Sequence, residues 1–385
     1  MTLIAAFISD GIPVLLGDLV ISGPERTGAK TALPMVGELT NVFPVGSGWS
    51  ITEMRQKVAV LSDDLVLGWA GSVVAARTLI EELRGRLKAG QISLDSLNIF
   101  LKKEAFEITG SYNASLVGFL REGDHIIPFG HNALKFNTPN FGEVITQGSG
   151  AASFEKALRA FPDSLDIRRG DPNAVARAIG KSLILTGTFL QMESATYENL
   201  LSFYGGGYEM ACFSGGRFSK IEEITYLFWY AELLNEQPQV KLFVPPYRLM
   251  KLSYKGDTLI IRTITGEPNP KPRVSNINPP PTGEPKTAVE IPLSITDSTY
   301  VVSPIYSTST EEAFSIRDRP SMKSPLLCNY ILFKNRSGEP QITCRVDFER
   351  GGSDVFEESP DKPNIEFRLD FVQQLASEVL SSIKQ

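Results

Sequence analysis

Short apolar segments separated by glycine-containing turns dominate the start of the chain. Residues 3–8 and 12–16 are apolar and are separated by Ser-Asp-Gly. An Asp-Gly pair between two such runs is typical of a β-hairpin, because glycine accepts the positive φ that a tight turn requires. Residues 57–61 and 65–70 have a similar pattern, so we predict a second hairpin there. The intervening residues 22–53 are rich in Gly, Pro, Ser and Thr, which predicts a long loop.

Apolar positions then change to helical spacing. Between residues 73 and 87 they recur on one face of a helix, and Ser72 directly before them is a candidate N-cap. Further helices are predicted from residue 93 onwards, over 152–160 and over 174–186, with more hairpins between them. Antiparallel hairpins alternating with pairs of helices predict an α+β fold, in which two stacked sheets carry helices on their outer faces.

The C-terminal part of the chain has a different character. We predict a first domain over residues 1–238 and a β-rich extension over 239–385. Seven prolines fall within residues 266–286, which predicts an extended linker inside the extension. Strand-like segments lie on both sides of it, and the apolar spacing between Phe371 and Ile383 predicts a terminal amphipathic helix.

Charge and length bear on partners and location. The 385 residues carry a net charge of −6, with no Lys/Arg-rich run, so no nucleic-acid or anionic-membrane partner is predicted. No apolar window approaches the ~20 residues of a membrane-spanning helix. The N-terminus lacks the basic region of a signal peptide. These features predict a cytoplasmic protein.

The scarcity of two residue types limits the chemistry. Two histidines and three scattered cysteines disfavour a metal site, a disulfide framework and a Ser-His-Asp triad. Motifs for ATP, flavin or nicotinamide binding are absent from the sequence, so we predict neither a metal nor a cofactor.

Thr2 is a candidate nucleophile that needs no histidine. Threonine is small enough for methionine aminopeptidase to remove the residue before it, which would leave Thr2 at the N-terminus. Its α-amino group, with a pKa of about 7.7–8, would then serve as the general base for its own hydroxyl. Met-Thr is also a common start of proteins, so this feature alone favours a non-catalytic Thr2.

Several motifs in residues 2–235 resemble the proteasome β-subunit and HslV branch of the N-terminal nucleophile (Ntn) hydrolases. The matching segments are Thr2 to Ala6 (TLIAA), Gly17-Asp18, Lys57-Val58, Gly68 to Ser72 (GWAGS) and Gln147 to Gly150 (QGSG). The separation of Thr2 from Asp18 and that of Lys57 from Gly71 are those of the family. The resemblance implies a four-layer αββα sandwich with the β-rich extension appended.

The resemblance also implies roles for individual residues. It implies a catalytic set of Thr2, Asp18, Lys57, Gly71 and Ser149, and substrate-binding roles for Trp69 and Ser72. Lys57 would favour the alkoxide of the nucleophile, and Asp18 would keep Lys57 charged. The Gly71 N–H would face the oxyanion. Ser149 would orient the free amine, and Trp69 would line the pocket for the substrate side chain.

Each motif also has an ordinary structural interpretation. Gly17-Asp18 could be a strand-end turn, Ser149 part of a helix N-cap, and Trp69 a core aromatic. The segment between Asp18 and Lys57 is longer than in typical family members. A supporting Asp/Ser pair of the family is missing from residues 203–209, where only the glycines are kept. Glu198 and Ser202 are candidate replacements.

The leading hypothesis is a threonine-type peptidase, cytoplasmic and acting on peptide or amide substrates. The resemblance implies a homo-oligomer, for which a ring is the arrangement of the family, and leaves an unfoldase partner undetermined. Two alternatives stay open. One is a small-molecule amidase on the same scaffold, and the other is a catalytically inactive structural homologue.

Overall fold

The chain has a mixed α/β fold in which several sheets are combined with few helices. It is described here from a computed structural model. The structure describes residues 2–383 except 25–31, 40–41, 44–45, 47, 91, 110–112, 162–173, 235–238, 244–245, 267–288, 293–295, 307–319, 335–337, 339, 349–355 and 359–363. The predicted linker 266–286 therefore lies, apart from its first residue, outside the described residues. Within the described ranges, every helix is too short or too polar to span a bilayer.

The N-terminal part contains the first fourteen described strands and six α-helices. The strands are β1 (Ile4–Ser9), β2 (Ile12–Asp18), β3 (Val20–Pro24), β4 (Ala32–Leu33), β5 (Gly37–Glu38), β6 (Trp49–Met54), β7 (Val58–Ser62), β8 (Leu65–Gly71), β9 (Ala114–Glu122), β10 (His125–His131), β11 (Leu134–Thr138), β12 (Gly142–Gln147), β13 (Tyr208–Ser214) and β14 (Arg217–Lys220). The helices are α1 (Val73–Lys88), α2 (Leu94–Ile99), a π-helical turn (Phe100–Glu104), α3 (Ala105–Thr109), α4 (Ala151–Arg159), α5 (Ala174–Thr196) and α6 (Glu198–Leu201).

Two sheets of this part face each other. The first sheet has the order β11-β12-β1-β2-β13-β14, and the second has the order β10-β9-β8-β7. Side chains alternate along a strand, so Ile4 and Ala6 of β1 lie in the apolar cluster between the sheets, together with Val66 of β8. Gly68 lets the strands approach closely, because a Cβ atom there would lie 3.4 Å from Ile4.

The outer faces of these two sheets carry helices. Leu3, directly before β1, and Phe7 of β1 point away from the second sheet, into a cluster that also holds Phe154 of α4 and Leu190 of α5. On the opposite side, residues of β8 and β9 pack with those of α1 and the π-helical turn. The period-2 pattern of the strands and the period-3.6 pattern of the helices thus define the two faces of each element.

The C-terminal part contributes a third sheet. Its elements are β15 (Ile224–Leu234), β16 (Gln239–Leu242), β17 (Arg248–Lys255), β18 (Thr258–Thr265), β19 (Val289–Pro292), β20 (Asp297–Val302), β21 (Leu326–Lys334), β22 (Pro340–Phe348), β23 (Phe356–Glu358), β24 (Asn364–Phe367) and α7 (Leu369–Ile383). The strand order is β20-β18-β17-β15-β21-β22, with β16 paired to β15, and β15 runs parallel to β21.

The third sheet packs directly on α5. Tyr330 of β21 lies against Gly187, where a Cβ atom would be only 2.1 Å from the tyrosine ring. Its hydroxyl donates to the carbonyl of Leu183 at 2.8 Å. The opposite face of the sheet, which includes Trp229 of β15, packs against α7. Helix α5 is therefore enclosed between the first and third sheets.

Two expectations from the sequence differ from the structure. β15 already belongs to the third sheet, so the sheet begins at Ile224 and not after the predicted boundary at residue 238. The predicted loop over residues 22–53 contains parts of β3 and β6, which pair as antiparallel strands. Gly23 and Pro24 at the end of β3 carry little strand preference, and pairing supplies what local sequence does not.

Candidate functional site

Thr2, Asp18 and Lys57 meet in one hydrogen-bonded cluster. Asp18 ends β2, and its Oδ1 accepts from the Thr2 hydroxyl at 2.5 Å and from the Leu3 N–H at 2.8 Å. Its Oδ2 accepts from the N–H of Gly205 at 3.0 Å. With the Lys57 ammonium, the carboxylate has four donors, which matches the acceptor capacity of an ionised carboxylate.

The Lys57 ammonium uses three donors in the same cluster. It donates to Asp18 Oδ1 at 2.6 Å, to the Val20 carbonyl at 2.6 Å and to Thr2 Oγ1. The side chains of Lys57 and Asp18 are both 0% exposed. Burial lowers the pKa of Lys57, while the charge and hydrogen bond of Asp18 and the charge of Glu209 oppose that shift.

Glycine at position 17 permits this arrangement. A Cβ atom at Gly17 would lie 3.1 Å from Cγ2 of Val58 and 3.2 Å from Cβ of Lys57. β2 of the first sheet and the start of β7 in the second sheet therefore approach to van der Waals contact. This approach brings the lysine beside Asp18, the residue that follows the glycine.

A glycine run encloses the cluster from the side of α5. Gly205, Gly206 and Gly207 have φ values of +126°, +72° and +128°, which other residues rarely adopt. The Gly205 carbonyl accepts from Leu19 N at 3.1 Å. Gly206 N donates to Glu193 Oε2 at 2.8 Å. The backbone of this turn, rather than its side chains, contacts Asp18.

The other residues predicted for catalysis lie outside these hydrogen bonds. Gly71 ends β8 with φ +92° and is exposed, and a Cβ atom there would lie 2.5 Å from the Asn113 carbonyl. Ser149 is exposed in the turn after β12, where the next residue, Gly150, donates its N–H to the Thr2 carbonyl at 3.0 Å. Within the described part of the chain, neither Gly71 nor Ser149 is hydrogen-bonded to Thr2.

Trp69 and Ser72 have structural roles in this conformation. Trp69 alternates with Gly68 along β8, so its side chain points to the helix-facing side of the second sheet, where it is 1% exposed. Its indole N–H donates to the Gln56 carbonyl at 3.1 Å, and its role in substrate binding stays a prediction. The Ser72 hydroxyl caps α1 by accepting from Ala75 N at 3.4 Å.

Three buried polar residues near the cluster were missed by the sequence prediction. They are Gln56, Glu193 and Glu209. Glu193 and Glu209 are acids within apolar segments of α5 and β13, a pattern that could have marked them. The two proposed substitutes for the missing acid and serine, Glu198 and Ser202, lie around α6, and Glu198 is exposed.

The geometry defines what the cluster can do. A hydroxyl that accepts from an ammonium and donates to a carboxylate is polarised towards the alkoxide. Thr2 itself is 1% exposed. The hydroxyl is therefore polarised for nucleophilic attack, but it is not accessible from solvent in this conformation.

No known protein family matches the sequence, and no curated protein does so either. Among solved structures, the chain is similar to eukaryotic HslV from Trypanosoma brucei. That similarity has 16% sequence identity and a TM-score of 0.29, and it covers 55% of this chain and 98% of that chain. A similarity of this size establishes neither an activity nor an assembly.

Proposed function

We propose that the chain is an N-terminal threonine hydrolase that cleaves amide bonds, with peptides as its substrates. The proposal includes an Ntn-type αββα sandwich, formed by the first two sheets and the helices on their outer faces. The observation that carries it is the hydrogen-bonded cluster of Thr2, Asp18 and Lys57, which joins the ends of three separate strands in the interior.

The nucleophilic step would require a free amine on Thr2. Once the preceding peptide bond is cleaved, the α-amine takes the hydroxyl proton while Oγ1 attacks the carbonyl carbon of the substrate. The Lys57 ammonium stabilises the negative charge on the oxygen. When the C–N bond breaks, the protonated amine returns its proton to the leaving nitrogen, and an ester of Thr2 remains. Water, deprotonated by the same amine, then attacks the ester carbonyl. The bond to Oγ1 breaks, the amine returns the proton to Oγ1, and the acid is released.

The remaining predicted residues fit roles around this step. Gly71 is an exposed residue at the end of β8, two residues before the start of α1, where backbone donors favour negative charge. Ser149 lies one residue before Gly150, whose N–H holds the Thr2 carbonyl. Their roles as oxyanion donor and amine-orienting residue stay predictions, as do a homo-oligomeric ring and a cytoplasmic location.

A catalytically inactive homologue is the second candidate function. Thr2 is 1% exposed, and the acid and serine that support the nucleophile in the family have no counterpart in residues 203–209. In that case the cluster would only tie the two sheets together. The chain would show no reaction with amides or with electrophiles at Thr2.

Intact mass and covalent labelling separate these functions. We expect the purified protein to lack the initiator methionine and to be labelled at Thr2 by a peptide epoxyketone, which reacts with an N-terminal hydroxyl and amine together. Thr2→Ala should abolish labelling and hydrolysis, while Thr2→Ser should retain both. A wild-type chain that keeps methionine and is not labelled would contradict the proposal.

A second threonine provides the matched control. Thr146 is also buried, and its hydroxyl donates to the Ile4 carbonyl at 2.7 Å. Thr146→Ala removes a buried hydroxyl from the neighbouring strand without touching Lys57, so labelling should persist. Comparing turnover of a peptide with that of a small acyl amide then distinguishes a peptidase from a small-molecule amidase.

A further inference from the structure

Glu209 contacts the backbone of the residue that carries the ammonium. It lies on β13 next to Gly17 and is 1% exposed. Its Oε1 accepts from the N–H groups of Lys57 and Val58, the latter at 2.6 Å. Two successive N–H groups that converge on one oxygen form a small anion-binding concavity.

This contact reaches from the first sheet to the second. β7 is the edge strand of the second sheet and pairs with β8 on one side only, so within the described residues the outer side of its start has no strand of that sheet beside it. Glu209 takes the place of such a strand and fixes the backbone of Lys57 against Gly17. A lysine with a fixed backbone can hold its ammonium at one position beside Thr2.

The second oxygen of Glu209 is anchored independently. Oε2 accepts from the Lys220 ammonium at 2.6 Å and from the Tyr254 hydroxyl at 3.2 Å. Lys220 also donates to the side-chain carbonyl of Gln56. Both carboxylate oxygens therefore have partners on separate strands, and the side chain has no freedom to leave the lysine.

The third sheet takes part in this anchoring. Tyr254 belongs to β17, and the side-chain amide of Gln56 donates to the carbonyls of Asp257 and Val302, each at 2.7 Å. The backbone N–H of Gln56 donates to the Ser303 carbonyl at 3.1 Å. The C-terminal part thus holds the residue directly before the lysine.

We propose that Glu209 is a positioning residue for Lys57, through which β13, β14 and the third sheet place the ammonium beside Thr2. The proposal rests on the proposed function, since it assigns Glu209 a part in the same reaction. Its charge also bears on Lys57: removing it takes away one of the effects that oppose the burial-induced lowering of the lysine pKa.

Other charged and titratable groups face the lysine as well. They are Asp18 on β2 in direct contact, Lys220 on β14 and Tyr254 on β17 through Glu209, and Glu193 on α5 behind the glycine run. Removing the charge of Glu209 or of Lys220, which form an ion pair, should therefore have opposite effects on the pKa of Lys57. Loss of the Glu209 charge lowers the pKa of Lys57, and loss of the Lys220 charge raises it.

The test measures kcat, KM and the pH profile of the Thr2-dependent reaction in Glu209→Gln and Lys220→Met. We expect Glu209→Gln to lower kcat by about tenfold to a hundredfold with little change in KM, because the ammonium is misplaced by a fraction of an ångström. Activity that needs charged Lys57 falls at high pH. That alkaline limb should move to lower pH in Glu209→Gln and to higher pH in Lys220→Met.

The controls separate a positioning role from a merely structural one. Glu222→Gln removes an exposed acid near Lys220 and should leave both kcat and the limb unchanged. Glu209→Asp keeps the charge but shortens the reach, so kcat should fall while the limb stays. If Glu209→Gln does not fold, the pH profile of Lys220→Met alone tests the proposal. An alkaline limb at the same pH as in wild type, or at lower pH, overturns it.

Failure of this proposal is distinguishable from failure of the proposed function. If wild type and Thr2→Ala are equally inactive, the catalytic function fails. In that event the pKa of Lys57, followed by NMR of its ¹³C-labelled ε-carbon in full-length protein, still tests the contact. An active wild type whose Glu209→Gln variant has the same kcat and the same alkaline limb overturns the positioning role only.

Discussion

Replacing Asp18 with Asn removes the anionic partner of a fully buried ammonium. Asp18 and Lys57 are 2.6 Å apart and both 0% exposed. The new amide keeps the shape of the carboxylate but offers two donors where Gly205 N–H now donates. Breaking one partner of a buried pair costs about 3–5 kcal/mol, because the other charge is left without compensation. We expect Asp18→Asn to lower the free energy of unfolding by about that amount near neutral pH.

A double-mutant cycle isolates the interaction. Lys57→Met should also destabilise, by an amount nearer ~3 kcal/mol, because Asp18 keeps three other donors. The double variant Asp18→Asn/Lys57→Met leaves no unpaired charge. Its loss should therefore be smaller than the sum of the single losses by about 2 kcal/mol. The measurement is guanidinium chloride unfolding at constant m value.

The effect should depend on pH with a defined sign. Burial holds the pKa of folded Lys57 below its unfolded value, and Asp18 is the largest opposing influence. Without Asp18 that pKa falls further, so the unfolded chain binds more protons over a wider range. The stability of Asp18→Asn should therefore recover relative to wild type as the pH rises towards about 10.

An exposed pair serves as the comparison. Lys135 and Glu143 are 53% and 47% exposed at a distance of 3.4 Å. The cycle of Lys135→Met and Glu143→Gln should give a coupling of about 0–1 kcal/mol. Additive losses below 1 kcal/mol for both Asp18 and Lys57, with no dependence on pH, would refute the reasoning.

Two further predictions concern residues around the cluster. Burial raises the pKa of Glu193 to about 8. Wild type should therefore lose stability relative to Glu193→Gln as the pH rises from about 5 to 8, by up to ~4 kcal/mol in urea unfolding. If the stability of the two proteins has the same dependence on pH, the prediction is wrong. Gly187→Ala places a Cβ atom 2.1 Å from the Tyr330 ring and should cost about 1–3 kcal/mol in thermal unfolding. The control is Gly85→Ala on α1, where a Cβ atom would have nothing within 4 Å, so this variant should gain about 0.5–1 kcal/mol of stability. Equal changes in stability in the two variants would show that the third sheet is not in tight contact with Gly187.

Local features of the fold could be predicted because their causes are local. Asp10 and Gly11 have φ values of 50° and 80°, as a tight hairpin turn with two positive φ angles requires. α1 begins after its predicted N-cap, Ser72, and buries the face that the apolar spacing defined. Each of these outcomes depends on a few consecutive residues.

Non-local pairing could not be predicted in the same way. β15 and β21 pair in parallel from Ile224 and Leu326 onwards, and nothing in either segment specifies a partner so far along the chain. The early start of the third sheet follows from this pairing. α5 is apolar on more than one side because it lies between two sheets, which a single apolar stripe does not indicate.

The same distinction between local and non-local features applies to the candidate site. The resemblance to a family placed Thr2, Asp18 and Lys57 together, and the structure brings their side chains into contact. Glu209 was missed because its partners are backbone amides of another sheet, which no motif records. The substrate-binding role of Trp69 came from the motif alone and stays a prediction, and the alternation of side chains along β8 places this residue on the helix-facing side.

Under the proposed function, the composition of the cluster serves chemistry rather than stability. A buried ion pair is often no more stabilising than well-packed apolar residues of similar volume. Here the pair also requires backbone donors from a glycine turn and a second buried acid at Glu209. In an inactive scaffold, the Asp18→Asn/Lys57→Met variant should lose stability and no other measurable property. A hydrolase would also lose Thr2 labelling in that variant, under conditions in which the variant is still folded.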